Sequence, residues 1–156
     1  KDSEIIYDKD AHSDNWLVTD DNKIVVLDCE NRIKNQRERD IANLTDTWNL
    51  FTEEGKEYIL RRSNESYQKY KGIKINYMKS KITYHHAVII KALEDIPQLY
   101  QRKDLERMDA IIQNAYSSIN ALKRDHKSEI KSNYLKIQLM ETSLRQLEFY
   151  LKNNPV

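Results

Sequence analysis

Asp8-Lys9-Asp10-Ala11-His12-Ser13-Asp14-Asn15-Trp16-Leu17-Val18 leads into the polar stretch Thr19-Asp20-Asp21-Asn22-Lys23, then Ile24-Val25-Val26-Leu27 and Asp28-Cys29-Glu30. Two β-rich runs, residues 16–18 and 24–27, flank a polar segment whose length and composition suit a hairpin loop. Such a hairpin can gather at one end the acid Asp10, the amide Asn15 five residues later, and the acid Asp28 just past the second run. An amide oxygen and a carboxylate are hard donors suited to magnesium on a nucleotide's phosphates, and another carboxylate can orient an acceptor hydroxyl. The spacing therefore predicts a phosphoryl-transfer site. Acids and amides in a polar loop also cap turns, so that reading stays open beside it.

Outside this region, with the run Glu4-Ile5-Ile6-Tyr7 before it, strand character ends near residue 34 and everything later reads as helix. Two Gly and two Pro in 156 residues are too few for a many-turned β architecture. Residues 36–51 place Ile41, Leu44, Trp48 and Phe51 on one helical face. A second helix is expected over 53–70, with Tyr58, Ile59, Arg62 and Tyr67 on its face and a stop at Gly72. A third, over 74–100, carries Tyr77, Met78, Ile82, His85, Val88, Ile89, Leu93 and Ile96, with Pro97 expected to kink or break its end. Heptad-like seams follow: Leu105, Met108, Ile112, Ala115, Ile119 and Leu122, then Ile130, Tyr134, Ile137, Leu144, Leu147 and Leu151. A break around Asp125-His126-Lys127 allows an antiparallel helical hairpin, although such seams pair equally well with another chain. The predicted organisation is residues 1–34 as loop and hairpin, 35–100 as helices, and 101–156 as a helical hairpin. The class is mainly α with a small β-hairpin.

A chain of this length can bury a real core in one domain. Charged residues make up 33% and apolar ones 39%, with 26 Lys and Arg against 25 Asp and Glu, a net charge of +1. Near-balance argues against a nucleic-acid binder, which concentrates cations on one face. No apolar run is long enough to span a membrane. Cys29 is the single cysteine, which excludes an internal disulfide and favours a cytosolic setting.

The joint spacing resembles the catalytic loop and metal-binding strand of the aminoglycoside phosphotransferase and choline kinase group, small-molecule relatives of the protein kinases. That pattern is roughly His-x-Asp, four residues, Asn, a hairpin, then Asp-x-Glu or Asp-x-Asp. Asp10, Asn15, Asp28 and Glu30 fall at the matching places. Arg39-Asp40-Ile41-Ala42-Asn43-Leu44 looks like the group's Asp-Leu-Ala helix start, and Tyr67-Gln68-Lys69-Tyr70 with residues 75–96 sit where its later helices would be. The resemblance covers about residues 4–100 and leaves 101–156 without a counterpart. It implies the C-lobe of a protein-kinase-like fold starting at the catalytic loop, with an additional C-terminal helical hairpin. It further implies ATP- and magnesium-dependent transfer to a hydroxyl of a small molecule. Asp10 would be the catalytic base, Asn15 and Asp28 magnesium ligands, Glu30 a secondary metal contact, and His12 a phosphate or acceptor contact.

Two departures stand out. Asp8 replaces the usual His, and no Gly-rich loop or strand-borne Lys is found, so the N-lobe that grips the nucleotide is missing from this chain. The chain is thus expected to be a fragment of a larger kinase, inactive alone. A reading from another class is a catalytically inactive kinase-like helical interaction module that binds, or homodimerises, through the C-terminal heptad seams. Among the remaining residues, His85 and His86 point about 100° apart on a helix and cannot chelate one ion together. Cys29, between two acids, is a poor nucleophile and a packing residue. The ten tyrosines are scattered as amphipathic packing.

Overall fold

Near the amino end, short runs of β-branched and aromatic residues give four strands: β1 (Ile5–Asp8), β2 (Trp16–Val18), β3 (Ile24–Val26) and β4 (Arg32–Asn35). In the computed structural model they form two separate antiparallel pairs, β1 with β4 and β2 with β3. Five helices follow: α1 (Arg37–Asp46), α2 (Glu53–Lys71), α3 (Tyr77–Gln101), α4 (Leu105–Asp125) and α5 (Lys131–Asn153). The structure describes residues 5–8, 16–18, 20–21, 24–26, 32–35, 37–46, 51–125 and 131–154. The strands, Arg37, Asp46 and residues 131–133 are described by backbone alone.

The expected fold class is corrected here. Among residues with described side chains, 88% are helical and none lies in a strand, so the body of the protein is a five-helix structure. A kinase-like C-lobe organised around one small hairpin is not what forms. The strands are too short, at three or four residues each, to supply a core of their own. Burial comes instead from long amphipathic helices.

The chain divides into two compact units, Lys1–Tyr84 and His85–Val156, with the division inside α3. In the first unit α1 lies against β1 and α2. α1 (Arg37–Asp46) buries Ile41, Ala42 and Thr45, and Trp48, placed on the predicted face, lies outside the described residues. Helix α2 starts at the N-cap Thr52, whose Oγ1 accepts from Gly55 N at 3.1 Å, with Glu53 and Glu54 against the positive end of the helix dipole. It stops at Gly72, in the left-handed region at φ 66° that favours glycine. Its inward face is not the predicted apolar one. Lys56, Leu60 and Asn64, one turn apart, are buried, whereas Tyr58 and Arg62 are exposed. Hydrophobicity misplaces this face because two of its three inward residues are polar.

In the second unit α3 runs through Pro97 to Gln101 rather than breaking there. Pro97 is solvent-exposed, where water can replace the backbone bond that proline removes. The helix then closes in a Schellman turn: Asp104 N bonds Leu99 O and Lys103 N bonds Tyr100 O, each at 3.0 Å. Lys103 occupies the left-handed position at φ 59°, and Asp104 caps α4 by accepting from Arg107 N at 3.3 Å.

α4 is buried on two sides. Ile111, Asn114, Ser118 and Ala121 form the side on which Ser118 bonds His85 of α3, and Met108, Ile112, Ala115, Ile119 and Leu122 form an adjoining seam. Tyr116 and Lys123 bond Glu148 and Glu141 of α5, an order that sets α4 and α5 antiparallel. Ile137, Leu144 and Leu151 of α5 are buried at heptad spacing. Leu105 and Tyr134, expected in the seams, are exposed at the ends of the two helices, and Ile130 lies outside the described residues. Each buried Ile or Leu contributes about 1.5–3 kcal/mol over its exposed state.

Candidate functional site

The residues singled out by the spacing, Asp10, His12, Asn15, Asp28 and Glu30, lie outside the described residues. The strands on either side of them are described. Asp8, where the chain leaves β1, pairs with Arg32, where it enters β4; Trp16, where it enters β2, pairs with Val26, where it leaves β3. Segments 9–15 and 27–31 thus begin and end at the same two strand pairs. β2 with β3 was legible as a hairpin, since β-branched runs flank a polar loop. The pairing of β1 with β4 was not, because Arg32-Ile33-Lys34-Asn35 carries a single apolar residue.

α1 begins two residues beyond β4 and is tied into its unit by a buried polar cluster. Ser80 Oγ of α3 donates to Glu38 Oε1 at 2.7 Å and lies 3.2 Å from the Asn64 side chain of α2. A serine has one proton, and the shorter bond takes it. The Asn64 amide is therefore satisfied when turned so that Nδ2 donates to Ser80 Oγ. That orientation also gives Nδ2 the partner it otherwise lacks among the described residues. At the other end of α1, Thr45 Oγ1 donates to Ile41 O at 2.8 Å, so the 2.9 Å bond with Tyr84 is donated by the tyrosine hydroxyl. Glu38, Asn64 and Ser80 were not identified from the sequence. The available signal was a serine at helical spacing from Tyr77 and Tyr84 on an otherwise apolar face.

Other polar contacts of this unit lie within α2 or run from α3 to α2. Lys56, 4% exposed, reaches Glu53 at 3.2 Å. Tyr77 donates to Glu57 at 3.0 Å beneath the Arg61 guanidinium, 5.5 Å from its ring centroid. Burial first, then the bond to Glu57, pushes the Tyr77 phenol above its ordinary value.

In the second unit His85 Nδ1 and Ser118 Oγ are 3.1 Å apart and both buried, a structural contact closed to substrate. His86, the next residue on α3, is half-buried, and adjacent helical positions point about 100° apart. Glu141 accepts from Lys123 at 2.6 Å and Arg145 at 2.9 Å, which holds its carboxyl below the usual range. Hydrogen bonds from Lys152 and then Tyr116 do the same for Glu148. Burial, followed by its bond to Glu148, raises the Tyr116 phenol.

Among the described residues no group of three or more His, Cys, Asp or Glu is arranged to hold a metal. No described helix is long and apolar enough to cross a membrane. No family model, characterised protein or solved structure matches the chain.

Proposed function

We propose that this chain carries the phosphoryl-transfer site of an ATP- and magnesium-dependent phosphotransferase acting on a hydroxyl of a small molecule. The observation that carries the reading is the strand register: Asp8 opposite Arg32 and Trp16 opposite Val26 close the ends of the two segments that hold the candidate residues. Asp10 follows Asp8 by two residues and Asn15 immediately precedes Trp16. Asp28 follows Val26 by two, and Glu30 precedes Arg32 by two. In this reading Asp10 orients the acceptor hydroxyl and takes its proton, while Asn15 and Asp28 supply the metal ligands. Glu30 and His12 are secondary contacts to the metal and to a phosphate or the acceptor. The donor set fits magnesium, which prefers carboxylate and amide oxygens and neutralises phosphate charge when bound. With a lone cysteine, the site belongs in a reducing, cytosolic setting.

The test uses the full-length gene product. Asp10→Ala is expected to lower kcat by about 10²–10⁴-fold while leaving nucleotide affinity near that of the parent. Asp28→Ala is expected to abolish the magnesium-dependent part of the thermal shift given by ATP. Parent-level turnover in the Asp10 variant overturns the proposal. A purely binding role through the C-terminal seams has less support, because Ile112, Ile119, Leu122, Ile137, Leu144 and Leu151 are already buried inside the second unit.

A further inference from the structure

The second unit leaves one helix face uncovered. On α5, Leu135, Leu139, Phe149 and Tyr150 are exposed, Leu139 at 67% and Phe149 at 71%, on the side opposite the buried Ile137, Leu144 and Leu151. Leu135, Leu139, Thr142, Gln146 and Phe149 recur at alternating offsets of four and three, the spacing of a helix-docking seam. Apolar side chains more than half exposed on a helix that already has a buried face are an interaction signal rather than a folding requirement.

The charges beside that seam decide what fits it. The exposed residues of α5 from Tyr134 to Asn153 include Lys136, Arg145 and Lys152 and no acid. Both acids of this stretch, Glu141 and Glu148, are turned toward α4, where they take Lys123 and Tyr116. Arg145 and Lys152 also touch Glu141 and Glu148 at 2.9 Å, yet their side chains remain 68% and 73% exposed. A second copy of this helix would bring cations against cations, which is unfavourable. The apolar residues form two clusters with Gln138, Thr142, Ser143 and Gln146 between them. That interruption suits a partner able to hydrogen-bond at its middle, unlike a lipid surface. We propose that the outward face of α5 docks an amphipathic helix of a partner protein, with an apolar stripe flanked by Asp and Glu. From Leu135 to Phe149 the seam is about 21 Å long, so the partner helix needs about four turns.

The probe is a synthetic helical peptide with Leu at heptad positions a and d and Glu at e and g, set against a copy with Lys at e and g. Binding to the full chain is read by fluorescence anisotropy at low and high salt. The acidic peptide is expected to bind at least about tenfold tighter than the basic one, with the ratio shrinking as salt screens the charges. Leu139→Ser with Phe149→Ser is expected to weaken the acidic peptide at least about tenfold, in line with truncation of anchor residues. Both sites are exposed, so the melting curve should not move, which separates lost docking from lost folding. Equal affinity for the two peptides, no binding of either, or undiminished binding by the double variant overturns the proposal. Two further results would overturn it in favour of another occupant: a dimer that the double variant dissolves points to a second copy. Sedimentation with phosphatidylserine vesicles without peptide binding points to a lipid surface.

Discussion

The two units solve the same packing problem with different material. Among the described side chains of the second, Ile111, Ile119, Leu122, Ile137 and Leu144 dominate the interior, and His85, Asn114 and Ser118 are a small polar minority within it. In the first, Lys56, Asn64, Ser80 and Thr45 are as well buried as Leu60 and Ile41 beside them. An apolar interior holds by area, and its members are interchangeable at modest cost. A polar interior holds only while each donor finds its acceptor, so it fixes helix positions more stringently. The demanding interior includes α1, which lies against β1 of the β1–β4 pair.

The contrast can be broken by substitution. The largest effect is expected from Ile119→Ala in α4, at about 2–5 kcal/mol in urea unfolding followed by helix dichroism, because the side chain is fully buried. A loss well below that range would mean that the second unit does not depend on its apolar seam. Ser80→Ala comes next, at about 1–3 kcal/mol by the same measurement, since it removes the bonds to Glu38 and Asn64 in a buried setting. If Ser80→Ala is neutral, the polar interior of the first unit contributes nothing to its stability, and the comparison fails.

Titration gives a smaller and reversible effect. Glu141 and Glu148 have folded values held below the ordinary carboxylate value of 4.5. Their contribution is therefore present above that value and lost as pH falls through the depressed ones. Tyr116 has the opposite sign: raised above 10.0 in the fold, it contributes below that value and loses its effect as pH climbs past the raised one. Thermal melts from pH 7 downward should show the acid loss, and Glu141→Gln should flatten it. A melting temperature independent of pH over that window would show that the rim pairs contribute nothing. The smallest change is a gain. Lys103→Gly relieves a left-handed lysine at the turn between α3 and α4 and should raise stability by about 0.5–1 kcal/mol. A loss on that substitution would show that the Lys103 side chain makes contacts worth more than the strain.

Legibility from the sequence followed the same division. The α4 and α5 seams could be read because Ile112, Ile119, Ile137 and Leu144 repeat at helical spacing and are buried as that spacing implies. Gly72 marked the end of α2 for the same elementary reason, its freedom to adopt a positive φ. The inward face of α2 could not be read, because Lys56 and Asn64 look like surface residues until Ser80 is known to lie beside Asn64. No local pattern encodes a hydrogen bond between residues sixteen positions apart. β4 was missed because a four-residue strand with one apolar member owes its existence to its partner β1. The kinase-like lobe was inferred from a specific motif in the first thirty residues and pattern-level agreement to about residue 100, and such a motif does not dictate how the following helices assemble.

Heptad seams carry an ambiguity that the rim of α4 and α5 removes. Ile112 and Ile119 on one helix, and Ile137, Leu144 and Leu151 on the other, repeat every seven residues, so sliding one helix by a heptad would still match grease to grease. Tyr116 and Lys123 are also seven apart, as are Glu141 and Glu148, but each pair has only two members. A one-heptad slip leaves one donor facing an acid and strands the other. The polar edge therefore works as a key with two teeth: it adds little to cohesion, yet it selects a single alignment among several that hydrophobicity alone would accept.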